Sequence, residues 1–75
     1  MNLNDFIKIF TESFDEIDET ILSDTKYKEL ENWTSMQALL LIAHIDDTLN
    51  VVLDAEDIKD TSTIAELYTI VKSKL

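Results

Sequence analysis

The 75 residues include no cysteine, no glycine, no proline and no arginine. Without cysteine, no disulfide can staple the chain and no thiolate metal site can form. The single His44 leaves no histidine cluster for a transition metal, so the expected metal set is none. Without glycine or proline, every turn must come from Asn, Asp, Ser and Thr, whose side chains bond their own backbone. Long apolar runs are also missing. The longest, Ala38 to Ala43, is far too short to span a bilayer. The opening Met-Asn-Leu-Asn-Asp lacks the basic and apolar regions of a signal peptide, so a cytoplasmic protein is expected.

Positive charge is scarce. Six lysines face sixteen acids, for a formal net charge of −10. Nucleic-acid binding rests on cationic contacts to phosphate, and this balance argues against it. Anionic membranes are disfavoured for the same reason. Excess acid suits fast, salt-sensitive encounters with basic patches on partner proteins, and it equally serves plain solubility. A chain of this length forms one domain, residues 1–75, and buries only about 60% of its unfolded surface. A monomer is expected.

Apolar spacing of about 3.6 residues recurs, and no stretch alternates over strand length, which predicts an all-α fold. Leu3, Phe6, Ile7, Phe10, Phe14 and Ile17 fall within one arc of roughly 100° on a helix. That predicts a first helix over about 3–16, capped by Asn2 with Asp5 near its start. Residues 17–33 carry many acids around Ile21, Leu22, Tyr27, Leu30 and Trp33. They read as a long loop pinned by its apolar residues, with one helical turn between Asp24 and Leu30. After a second helix, Val51 to Leu53 make a short apolar link. Asp54 then caps a one-turn helix anchored by Ile58. Thr63 and Glu66 form a capping box for a last helix over about 64–74, bearing Ile64, Leu67, Tyr68, Val71 and Leu75 on one arc. Lys72 and Lys74 complement its dipole. Three longer helices, one short one and a long first loop make a small four-helix bundle.

The second helix, about 35–49, organises the chain. Thr34 is an N-cap residue type, and Gln37 follows at capping-box spacing. Ser35 then occupies the first helical position, where free N–H groups and the helix dipole favour an attached anion such as a phosphate ester. Spacing puts Ala38, Leu41, Ile42, Ile45 and Leu49 inward. Met36, Gln37, Leu40, Ala43, His44 and Asp47 point largely outward. Met36 and Leu40 either lie under the long loop or form an apolar docking face, flanked by Asp46 and Asp47. His44 reads as an exposed helix residue. Nine residues from Ser35 on one helix, it has no triad geometry, and no catalytic residues are expected anywhere in the chain.

At Trp33-Thr34-Ser35-Met36 the sequence resembles the acyl carrier protein family. Its hallmark is Asp-Ser-Leu opening the second helix of a small acidic bundle. The resemblance continues through Leu39, Ile42, Ile45, Leu49, Val51 and Leu53 to the Thr-Ser-Thr-Ile segment at 61–64. Upstream, Tyr27-Lys28-Glu29-Leu30 before Trp33 looks like the subfamily with a Trp-Asp-Ser-Leu motif. The departure is Thr34, where the family usually has the aspartate that helps hold the divalent ion used in arm attachment.

The resemblance implies a 4'-phosphopantetheine arm on Ser35, flanked by Thr34 and Met36, whose thiol holds an acyl or aminoacyl cargo. It implies as partners a phosphopantetheinyl transferase and the ligases or synthases that load and use the cargo. The partner-facing residues would be Met36, Gln37, Leu40, Asp46, Asp47, Glu56 and Asp57. Leu39, Ile42, Ile58, Ile64 and Leu67 are candidates to line an apolar cargo space, or simply core. The competing reading is an unmodified acidic helical adaptor, binding a basic partner through the second helix and residues 54–60. An acidic mimic directed at a nucleic-acid-binding protein is a third.

Overall fold

A computed structural model describes all residues, 1–75, and the fold is all-helical. Helix α1 spans Leu3–Glu12, α2 Ser35–Leu49, α3 Ala55–Lys59 and α4 Ile64–Lys74, with a 3-10 turn at Tyr27–Glu29. There is no strand; Lys26 and Thr63 form one isolated antiparallel bridge. No helix is long and apolar enough to cross a membrane.

The expected caps form. Asn2, Asp54 and Thr63 each accept from the N–H three residues on, and Asp5, Asp57 and Glu66 return the bond to the cap N–H. Each such cap stabilises its helix by about 1 kcal/mol. The Glu66 carboxylate accepts from both Ser62 and Thr63 N–H, and these two bonds hold its pKa below the ordinary glutamate value. With no glycine to end α2, Asn50 takes the left-handed conformation at φ 56°, and its N–H returns to Asp46 O at 2.8 Å. Asparagine tolerates this region because its short polar side chain can bond locally.

The core is one cluster built on Phe6 and Phe10 of α1, Leu41 and Ile45 of α2, and Ile64, Leu67 and Val71 of α4, with Ile58 anchoring α3. Each such side chain contributes about 1.5–3 kcal/mol on burial. The first helix ends earlier than its spacing predicts. Ser13 turns the chain, its hydroxyl donating to Phe10 O at 2.6 Å. Phe14 therefore joins the core from the loop, 5.3 Å from the Phe10 ring.

The long loop is pinned, as its apolar residues suggested. Ile21, Tyr27 and Leu30 are buried. Tyr27 stacks edge-on against Phe10 and Trp33, and its hydroxyl meets Thr61 Oγ1. Burial pushes the Tyr27 phenol above its ordinary pKa. Lys28 Nζ donates to the carbonyls of Ile58 and Lys59 at 2.9 and 3.2 Å, closing the C-terminal end of α3. Thr25 and Ser23 supply carbonyls to the Ile64 and Ala65 N–H groups, so the loop also satisfies the first turn of α4.

Candidate functional site

Ser35 is the first residue of α2 and is exposed, and its hydroxyl engages no other protein group. Thr34 has extended dihedrals and its Oγ1 accepts from Gln37 N–H at 3.0 Å. The capping box expected there is only half formed. The Gln37 side chain does not return to Thr34. It turns inward instead, and its Nε2 donates to Ser13 O at 3.1 Å and lies 3.3 Å from Ser13 Oγ.

Two features mark the surroundings of Ser35. First, the N–H groups of Thr34, Ser35 and Met36 carry no protein partner. Second, α2 is the one α-helix with no acidic residue in its first turn. Its positive end is compensated neither by a carboxylate nor by a returned cap, so the local field favours a phosphate ester on Ser35. These residues fit a phosphate-linked arm. They offer no carboxylate for a divalent ion, and no metal-holding group of acids or histidines exists in the chain.

Beside Ser35 lies an apolar face. Met36, Leu39 and Leu40 are 64%, 62% and 47% exposed, with exposed Ala43 one turn on. The loop does not cover Met36 and Leu40, so that alternative for them is removed. Asp46 and Asp47 are exposed at the far end of α2, and Glu56 is exposed on α3.

Several expected positions are corrected. Gln37 is 8% exposed and belongs to the α1–α2 contact, so it cannot meet a partner. Asp57 caps α3 and pairs with Lys74 Nζ at 2.8 Å, which occupies the carboxylate expected to face partners. Leu39 faces water rather than the interior, because it sits about 200° around α2 from buried Leu41. His44 is half-buried, and its Nε2 is enclosed without a hydrogen-bond partner. Ile58, Ile64 and Leu67 are buried and Ile42 is half-buried, but they close on one another without leaving a pocket.

Sequence reasoning missed the Gln37–Ser13 bond and a companion, Asn32 Nδ2 donating to Glu16 O at 2.6 Å. The signal available was two carboxamides flanking Ser35; their acceptors lie far away in sequence.

The architecture is that of the acyl-carrier-type bundle. The solved solution structure of holo acyl carrier protein from Geobacter metallireducens superposes with a TM-score of 0.78 at 18% identity, covering 96% of this chain and 83% of that one. No protein-family model and no curated protein matches the chain.

Proposed function

We propose that this chain is a carrier domain, bearing a 4'-phosphopantetheine arm on Ser35 and presenting an acyl or aminoacyl cargo to partner enzymes. The observation that carries the reading is an exposed serine opening α2 on this fold, beside three unpartnered N–H groups and no first-turn acid. The similarity to a solved holo acyl carrier protein supports it. The arm supplies a thiol for the cargo at the end of a flexible tether, so one domain can visit several active sites.

The chain's own contribution is to offer a nucleophile and a docking face. In arm attachment Ser35 Oγ forms a bond to the phosphorus of coenzyme A that bears the pantetheine chain. The P–O–P linkage breaks, the adenosine bisphosphate leaves, and the hydroxyl proton passes to the transferase. Thr34 holds the cap, and the divalent ion must be held by the transferase and coenzyme A without a carboxylate at position 34. Met36, Leu39 and Leu40 supply apolar contact to the transferase and to cargo-handling ligases or synthases. Asp46, Asp47 and Glu56 steer basic rims toward it. In this reading the protein is a cytoplasmic monomer and needs no catalytic residues of its own.

The test is intact mass after incubation with coenzyme A, Mg²⁺ and a broad-specificity phosphopantetheinyl transferase, with Ser35→Ala alongside. A gain of one phosphopantetheine, absent from the alanine variant, is expected. No gain with several transferases, on protein shown to be folded, would overturn the carrier reading. The apolar face and the missing carboxylate at Thr34 would then favour an unmodified acidic adaptor that acts by binding alone.

A further inference from the structure

The residues around Ser35 include a feature that neither capping nor core packing calls for. Asn32, three residues before the serine, donates from Nδ2 to Glu16 O at 2.6 Å. Gln37, two residues after it, donates from Nε2 to Ser13 O at 3.1 Å. Both acceptors are main-chain carbonyls of the segment that leaves α1. The amide nitrogens must face them, since a carbonyl oxygen only accepts. Between these two ties stand only Trp33, Thr34, Ser35 and Met36. Trp33 leans the same way, its ring 6.5 Å from Phe14.

From this geometry we infer that Asn32 and Gln37 form a two-point clamp that positions Ser35 for arm attachment; the inference rests on the carrier reading. They are positioning residues and do not touch the reacting atoms. The clamp answers a problem set by the sequence. Ser35 follows a long loop without glycine or proline, and the start of a helix frays unless it is tied down. Gln37 could have tied it by closing a capping box on Thr34 N–H. Spending its amide on Ser13 instead fixes the turn to α1 and leaves the Thr34 N–H open beside the serine. One side chain thus orients the turn and keeps its anion-favouring end free. Ser13 in turn is held by its own hydroxyl bond to Phe10 O, so the anchor is continuous with α1.

The experiment compares wild type, Asn32→Leu, Gln37→Met and the double variant, near-isosteres that lack the donors. The readouts are transferase kinetics with the carrier as varied substrate and amide hydrogen exchange over residues 37–41, the first hydrogen-bonded amides of α2. Orientation of a nucleophile enters kcat, whereas the Met36, Leu39 and Leu40 face enters KM. The double variant is expected to lose about tenfold in kcat with KM within about twofold, the singles falling between. Exchange in the first turn of α2 should rise in step. Ser13→Ala keeps the carbonyl acceptor but loses the hydroxyl that ties the turn to Phe10 O, and should fall between wild type and Gln37→Met. Val71→Ala removes core volume at the opposite end of the bundle, where Tyr68 Oη donates to Met1 O, and should lower Tm without moving kcat.

Unchanged kcat and unchanged exchange in the double variant would overturn the clamp, and so would a loss matched by Val71→Ala. If wild type gains no arm, the carrier reading fails separately. Exchange then decides the clamp, supporting it if residues 37–41 lose protection and overturning it if they do not.

Discussion

Lys74 Nζ lies 2.8 Å from Asp57 Oδ2, so the last turn of α4 closes on the first turn of α3. The same ammonium donates to Val52 O at 2.9 Å, and Asp57 also accepts from Asp54 N–H. One lysine near the C-terminus thereby holds both the short helix and the link leading into it. The Lys74 bond first, and the Asp54 N–H next, hold the Asp57 carboxyl below the ordinary aspartate value.

A pH dependence follows with a definite sign. A depressed folded-state pKa stabilises above the unfolded value of about 3.9 and stops doing so as pH falls through the folded value. Thermal unfolding of wild type and Lys74→Met should therefore differ near neutral pH and converge in strong acid. The difference at neutral pH should be at most about 1 kcal/mol, because the pair is partly exposed. A gap that persists unchanged in acid would show that Lys74 acts through its carbonyl bond or its stem.

Salt should stabilise the protein. A net charge of −10 on so small a domain costs stability through self-repulsion, and one ion pair relieves little of it. Added NaCl, and Mg²⁺ or Ca²⁺ more strongly, should raise Tm. Trp33 is the single tryptophan, packed against Tyr27 and Phe14, and its fluorescence reports the transition. A Tm indifferent to ionic strength would show that repulsion is not limiting.

The apolar face should matter for partners and hardly at all for folding. Leu39→Asp and Met36→Asp change exposed side chains, so their effect on stability should stay within about 0.5 kcal/mol. Under the carrier reading each should raise the transferase KM several-fold. Unaltered KM in both would place docking elsewhere on the surface.

Thr34→Asp tests the departure at the serine. Aspartate caps as well as threonine, so the free energy of unfolding should move by only a few tenths of a kcal/mol. A carboxylate beside Ser35 should increase the rate of arm attachment and lower the Mg²⁺ concentration required. An unchanged Mg²⁺ requirement would show that the transferase and coenzyme A hold the ion without help from position 34.

Much of this protein is written locally. The caps at Asn2, Asp54 and Thr63, the bounds of α4 and the inward stripe through Leu41 and Ile45 depend on residues within a turn or two of one another. Propensity, periodicity and capping act at that range, so the sequence alone determined an all-helical bundle with Ser35 opening its second helix. The tertiary structure decided where competing local options led. Gln37 could close a box on Thr34 or reach Ser13, and only the return of α1 beside α2 offers the second partner. Asp57 could face a docking enzyme or Lys74, and the path of α4 brings the lysine to it. Leu39 and His44 lie on the side of α2 or beside its core stripe according to the helix's rotation against α1 and α4, which the packing of Leu41 and Ile45 sets. Such choices turn on contacts between residues far apart in sequence, whose geometry exists only once the core has closed.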